Sequence, residues 1–146
     1  MNLKQQENQT KVVIDTNVII SAAISEDNVP AEIFELLLLE EVENYTSQEI
    51  IDEVINVFHR PKFIKLISEK DINFMVEKYL IFSKKVEPKQ KFSLVKDDSK
   101  DNMFIDCAVE ANVDYIISGD PHLLGIKEFK NIKIITPREF LEMINL

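Results

Sequence analysis

The sequence predicts an α/β protein with three α/β/α layers around a central parallel sheet of about five strands. Three observations carry this. Val12, Val13 and Ile14 form an apolar run with no polar member on either face, leading straight into Asp15. A strand of that kind is buried on both sides, which in practice means a parallel sheet between helices. Asp114–Ser118, reading DYIIS, repeats the pattern and again runs into an acid, Asp120. Helical segments lie between the two, and strand, helix and strand in succession imply a right-handed crossover and parallel pairing.

Composition bounds the rest. With 146 residues, 45% of them hydrophobic, the chain is long enough for one well-buried domain and short for two. We expect that domain over residues 11–146, after a flexible or disordered tail at 1–10. Gly119 and Gly125 are the only glycines, which excludes a Gly-rich phosphate-cradling loop. A single cysteine, Cys107, excludes an internal disulfide framework and suits a reducing compartment. The opening MNLKQQENQT is too polar for a signal peptide, and LLLL at 36–39 is far short of the roughly 18 residues that span a bilayer. A soluble, cytoplasmic domain is expected. The net charge of −9 weighs against a general basic surface for nucleic acid. Only local basic patches or a bound metal would overcome it.

In chain order, the strand ending at Asp15 passes into a helix through Val18, Ile19, Ser21, Ala22 and Ala23. Asp15 sits where open α/β sheets put their ligand sites, yet Asp is also a favoured N-cap, and both readings stand at this point. Pro30 reads as the first position of a second helix, Ala31 to about Glu41, with Ile33, Phe34, Leu37 and Leu38 as its core face. Glu43–Thr46 is a short strand, and Thr46 with Glu49 forms a capping-box pattern opening a third helix. There Ile50, Ile51, Val54, Ile55, Val57 and Phe58 make an apolar arc, with Glu53 at its edge. The segment HRPKFIK interleaves Arg60, Lys62 and Lys65 with Phe63, and Pro61 breaks or restarts the helix. Basic and aromatic residues at this density suit a phosphate backbone, though a loop and an amphipathic turn fit as well. Ser68 and Asp71 open a helix through Ile72, Met75, Val76, Tyr79 and Leu80.

Lys84–Lys100 carries six lysines and reads as a solvated linker, with Val86 assigned to a strand. Asp101 then falls inside the apolar arc of a helix with Phe104, Ile105 and Ala108, whereas Asp106 and Glu110 fall on the polar side and read as surface charges. Asp97 or Asp98 is available to cap this helix. Lys133–Ile135 is a last strand. Thr136, Pro137 and Glu139 combine cap, first-turn proline and capping box for a closing helix through Phe140, Leu141 and Ile144.

Four acids, Asp15, Glu53, Asp101 and Asp120, thus lie at a strand end, a helix start or the edge of an apolar face. If the strands before Asp15 and Asp120 are neighbours, their carboxylates share one edge. Clustered carboxylates repel and hold protons unless a cation neutralises them. Oxygen donors without Cys or His suit Mg²⁺ or Mn²⁺ rather than Zn²⁺.

The order DTNV, EIIDEVINVF, KDNMFIDCA and DYIISGD resembles the PIN-domain ribonucleases, over about Lys11 to Leu141. It is especially similar to the VapC-like toxin components of toxin–antitoxin systems that carry RPKF after the second acidic motif. The resemblance implies a PIN-like fold and Mg²⁺- or Mn²⁺-dependent cleavage of RNA by metal-activated water. It carries the family's four acids onto Asp15, Glu53, Asp101 and Asp120, and its small polar residues onto Thr16, Asn17 and Ser118. Asp15 and Asp101 would be principal metal ligands, Asp120 a ligand directly or through water, and Glu53 would complete the site or orient the water. Arg60, Lys62 and Lys65 are candidates for guiding RNA. A cognate antitoxin and a homodimer are the implied partners, and the short tail to Leu146 favours a free-standing toxin-type unit. Two other classes remain open: a catalytically silent binding module, and an Mg²⁺-dependent aspartyl phosphotransfer domain. The latter usually needs a DxD pattern, and DTN has one acid.

Overall fold

The computed structural model describes residues 9–96 and 99–145. Asp97 and Asp98, the alternative helix caps, lie outside the described residues, as do 1–8. Six strands form one sheet among the described residues: β1 (Thr10–Ile14), β2 (Val42–Thr46), β3 (Ser83–Lys85), β4 (Tyr115–Ile117), β5 (Glu128–Phe129) and β6 (Ile132–Ile135). Their order is β3-β2-β1-β4-β6-β5. The first five in that order pair in parallel, and β5 adds an antiparallel edge against β6. The parallel sheet is thus the expected one, and the edge hairpin is additional. Its turn holds Lys130 and Asn131 at φ 50° and 67°, a geometry that an Asn-Gly pair would have announced and Lys-Asn does not.

The helices are α1 (Thr16–Ile24), α2 (Val29–Leu38), α3 (Gln48–Phe58), α4 (Pro61–Ile64), α5 (Glu69–Phe82), α6 (Asn102–Ala111), α7 (Pro121–Leu124) and α8 (Pro137–Ile144). Right-handed crossovers from β1 out to β2 and β3 put α1, α2, α3 and α5 on one face. The return from β3 to β4 runs the other way and puts α6 on the opposite face, where it packs on β1, β2 and β4. Val12, Val13 and Ile14 are therefore covered from both sides and have no exposed surface. Because β1 pairs with β2 on one side and β4 on the other, the strand order reverses between β1 and β4. Open α/β sheets bind ligands in the crevice at the carboxyl ends of two such strands.

Helix starts follow local chemistry, with two shifts. Asn28 caps α2 by accepting from the Ala31 N–H, so Pro30 is the second helical residue rather than the first. Ser47, not Thr46, caps α3 by accepting from Ile50, because the Thr46 hydroxyl is used in a 2.7 Å bond with the buried Tyr79 hydroxyl. Pro61 restarts the chain as α4, Ser68 caps α5, and Thr136 with Glu139 forms the complete capping box of α8. Val86 lies just past β3, its N–H still donating to Thr46.

The segment from Val86 to Lys96 departs most from expectation. It has no regular structure and most of its residues are exposed, as a solvated linker would be, yet it is strapped along the outer side of α6. The N–H groups of Lys89 and Phe92 donate to the Glu110 and Asp106 carboxylates at 2.9 and 2.8 Å. Asn102 accepts from the Val95 N–H and donates to the Val95 carbonyl, both at 2.9 Å. Val95 is buried, and Phe92 meets the Phe129 ring edge-on at 5.2 Å. Asp106 is consequently a buried residue and not the surface charge that its place on the helical wheel suggests.

Candidate active site

β1 delivers Asp15 to the crevice and also makes it the N-cap of α1, so the cap and site positions coincide. Its backbone N–H continues the sheet by donating to Ile117 of β4 at 2.9 Å. One carboxylate oxygen, Oδ1, accepts from the Asn17 N–H at 3.4 Å, and Oδ2 accepts from the Ser118 hydroxyl at 2.7 Å. Ser118 Oγ in turn accepts from the Asp120 N–H at 2.9 Å. This fully buried serine therefore ties the ends of β1 and β4 together. Thr16, the next residue, donates from Oγ1 to Glu53 Oε2 at 3.0 Å, which holds the acid from α3 toward the same crevice. Asp101 arrives from a 3₁₀ turn, Ser99–Asp101, that leads into α6.

These elements enclose a cavity of about 310 Å³ lined by Asp15, Thr16, Asn17, Glu53, Arg60, Lys100, Asp101 and Asp120, with Val57 below. The four acids singled out in the sequence are thus brought together, along with Thr16, Asn17 and Ser118. Of the three basic candidates only Arg60 lines the cavity. Lys62 and Lys65 are exposed, and the Lys62 ammonium lies over the Phe63 ring at 5.4 Å. Lys100 lines the cavity instead; it stood next to Asp101 in the sequence, but among six lysines nothing set it apart.

The electrostatics are those of crowded acids. Burial pushes the Asp15 carboxyl up from 3.8 to about 6, opposed by the hydrogen bonds from Ser118 and Asn17 and reinforced by the charges of Asp120 and Glu53. A cation between these groups would relieve that repulsion. Ligand atoms of Asp101, Asp120 and His122 lie within 4.8 Å of one another, an arrangement that could hold one. His122 was not foreseen, and it would add a nitrogen donor to the oxygens. The signal was its position two residues after Asp120, where an Asx-type turn folds it back: Asp120 Oδ1 accepts the His122 N–H at 2.8 Å.

A family model for the PIN domain matches residues 11–122. The chain belongs to the PIN-domain family. PIN domains are generally nucleases that use a divalent metal, and the acid-lined crevice of this PIN domain fits that chemistry. It is similar to the uncharacterized protein MJ1680 of Methanocaldococcus jannaschii, with 33% identity over 148 residues, covering 95% of this chain and 94% of that protein. Its fold is like that of PAE2754 from Pyrobaculum aerophilum, with a TM-score of 0.65 at 14% identity, covering 93% and 90% of the two chains. No helix among the described residues is long and apolar enough to cross a membrane.

Proposed function

We propose that this PIN domain is a Mg²⁺- or Mn²⁺-dependent endoribonuclease, acting in the cytoplasm as the toxin of a toxin–antitoxin pair. The observation that carries the nuclease reading is the convergence of Asp15, Glu53, Asp101 and Asp120 on one cavity at the β1/β4 switch point. The surroundings suit a polymer rather than a small molecule. A second depression of about 550 Å³ shares Glu53, Arg60 and Lys100 with the acid cavity, and a third of about 490 Å³ shares Asn17 and Asp120. A strand crossing all three would pass its phosphate over the acids.

In this reading Asp15, Asp101 and Asp120 hold the cation. Bound there, Mg²⁺ or Mn²⁺ supplies charge neutralisation on the phosphodiester and lowers the pKa of a water. Ser118 fixes the Asp15 carboxylate by donating to it. Glu53, held through one oxygen by Thr16, has its other oxygen to orient the attacking water and take its proton. Arg60 and Lys100 offset phosphate charge that the acidic chain would otherwise repel. The choice of RNA, the toxin role, the cognate antitoxin and a homodimer rest on the resemblance to VapC-like toxins.

The test is cleavage of a mixed single-stranded RNA pool with Mg²⁺ or Mn²⁺, against EDTA and Asp15→Asn. Metal-dependent cleavage that disappears in the variant supports the proposal. Equal behaviour of wild type and variant assigns any cleavage to contamination and sinks it.

A further inference from the structure

We propose that His122 is a nitrogen ligand to the same cation as Asp101 and Asp120, and that it turns this centre's preference from Mg²⁺ toward Mn²⁺. The inference rests on the metal-dependent reading above and adds a residue and a selectivity to it.

Three features place the ring. Ser118 holds the Asp120 backbone, Asp120 Oδ1 holds the His122 backbone N–H, and Leu123, the next residue, is fully buried. The imidazole is therefore carried on an anchored turn rather than a loose loop. Its Nδ1 lies 3.7 Å from Asp120 Oδ1, beyond hydrogen-bonding distance. That spacing suits two ligands of one ion with bonds of about 2.1 Å. Asp101, on the other side of the cavity, brings a carboxylate oxygen within 4.8 Å of both. The His122 side chain is 48% exposed and Asp120 18%, so the ring reaches the cluster from the solvent side.

The donor chemistry then decides the metal. Mg²⁺ keeps oxygen ligands and several waters and gains little from imidazole, whereas affinity for nitrogen donors rises along the transition series from Mn²⁺ onward. With His122 added to the aspartates, the set favours Mn²⁺ over Mg²⁺ where the carboxylates alone would favour it less.

The experiment uses the full chain and Mn²⁺ itself as the probe. Pulsed electron paramagnetic resonance of bound Mn²⁺ reads ¹⁴N coupling, and calorimetric competition gives the Mn²⁺-to-Mg²⁺ affinity ratio for wild type, His122→Gln and His122→Ala. The held N–H of residue 122 is backbone, so neither variant removes it, and thermal melts confirm folding. The wild type is expected to show ¹⁴N modulation that both variants lose. Their Mn²⁺-to-Mg²⁺ ratio should fall by about tenfold, the lower end of the effect of losing a metal-site partner. The other histidine, His59, is bonded to the Ile55 carbonyl at 2.7 Å, and the variants distinguish it. Bound Mn²⁺ without nitrogen coupling, at a ratio unchanged in the variants, overturns the His122 assignment and leaves the metal-dependent reading standing. Absence of Mn²⁺ binding in every form overturns both.

Discussion

Asp15 and Asp106 are two buried aspartates, 2% and 8% exposed, and burial raises the pKa of each. Their neighbours set them apart. Asp106 accepts the Phe92 N–H and lies nearer the mixed charges of Glu49 and Lys91. It is a clamp between α6 and the Val86–Lys96 strap. Asp15 is held by Ser118 and Asn17 and faces two further acids, Asp120 and Glu53. Burial of a carboxylate is thus no mark of a site by itself. The mark is several carboxylates held toward one space by groups that leave lone pairs open.

Neutralising each aspartate in turn separates the two roles most strongly. Asp15→Asn should lower metal-dependent RNA cleavage by roughly 10²-fold or more, the scale on which a lost charge-stabilising group is felt. Asp106→Asn should retain most of it. Equal losses in a single-turnover assay would remove the distinction between site and clamp.

The strap is tested through Asn102, whose side chain makes bonds to Val95 and also donates to the Ser99 carbonyl at 3.2 Å. Asn102→Ala strands buried backbone groups and should cost about 2–4 kcal/mol in urea unfolding. Amide exchange at residues 92–95 should quicken with it. Unchanged exchange there would mean that the strap is held by its apolar contacts alone.

Asp15 also has a stability signature. Its carboxyl titrates near 6 when folded against 3.8 as a free group, so between those values the native state binds more protons than the unfolded state. Stability is then greatest below about pH 4 from this group and falls as pH rises through about 6, by up to about 3 kcal/mol. Denaturation of the metal-free protein at several pH values should show that fall, and Asp15→Asn should flatten it. A wild-type profile without the fall would mean that the charge is relieved in some other way.

A smaller effect is expected at Thr16. Thr16→Val keeps the shape and removes the hydroxyl donated to Glu53, so cleavage should slow by about 3- to 10-fold, the worth of one such bond. A variant as fast as wild type would show that Glu53 needs no such support.

Much of this was legible locally. Val12–Ile14 and Tyr115–Ile117 could only be doubly covered strands, each ending beside an acid, and Thr136 with Glu139 wrote out its own capping box. Glu53 stood at the edge of an apolar arc, and Asp101 within one. The strap was not legible because it has no period: its order comes from Asp106 and Glu110, which a helical wheel turns away from the core, meeting backbone N–H groups that no sequence pattern displays. Lys100 and His122 were obscure for a related reason. Each is one residue or two from a recognised acid, and only the turn that follows fixes which way it faces.

The amino-acid sequence alone determined most of the strands and helices, though not the β5 edge, α7 or the strap, because side-chain periodicity and end caps act within a few residues. It also determined that acids stand at the ends of those segments. Tertiary structure alone decided that these ends meet: Ser118 reaches Asp15 across 103 residues of chain, and that bond exists only because β4 lies beside β1. The same closure raises the Asp15 pKa and brings His122 to the acids, since repulsion and coordination depend on distance through space rather than along the chain.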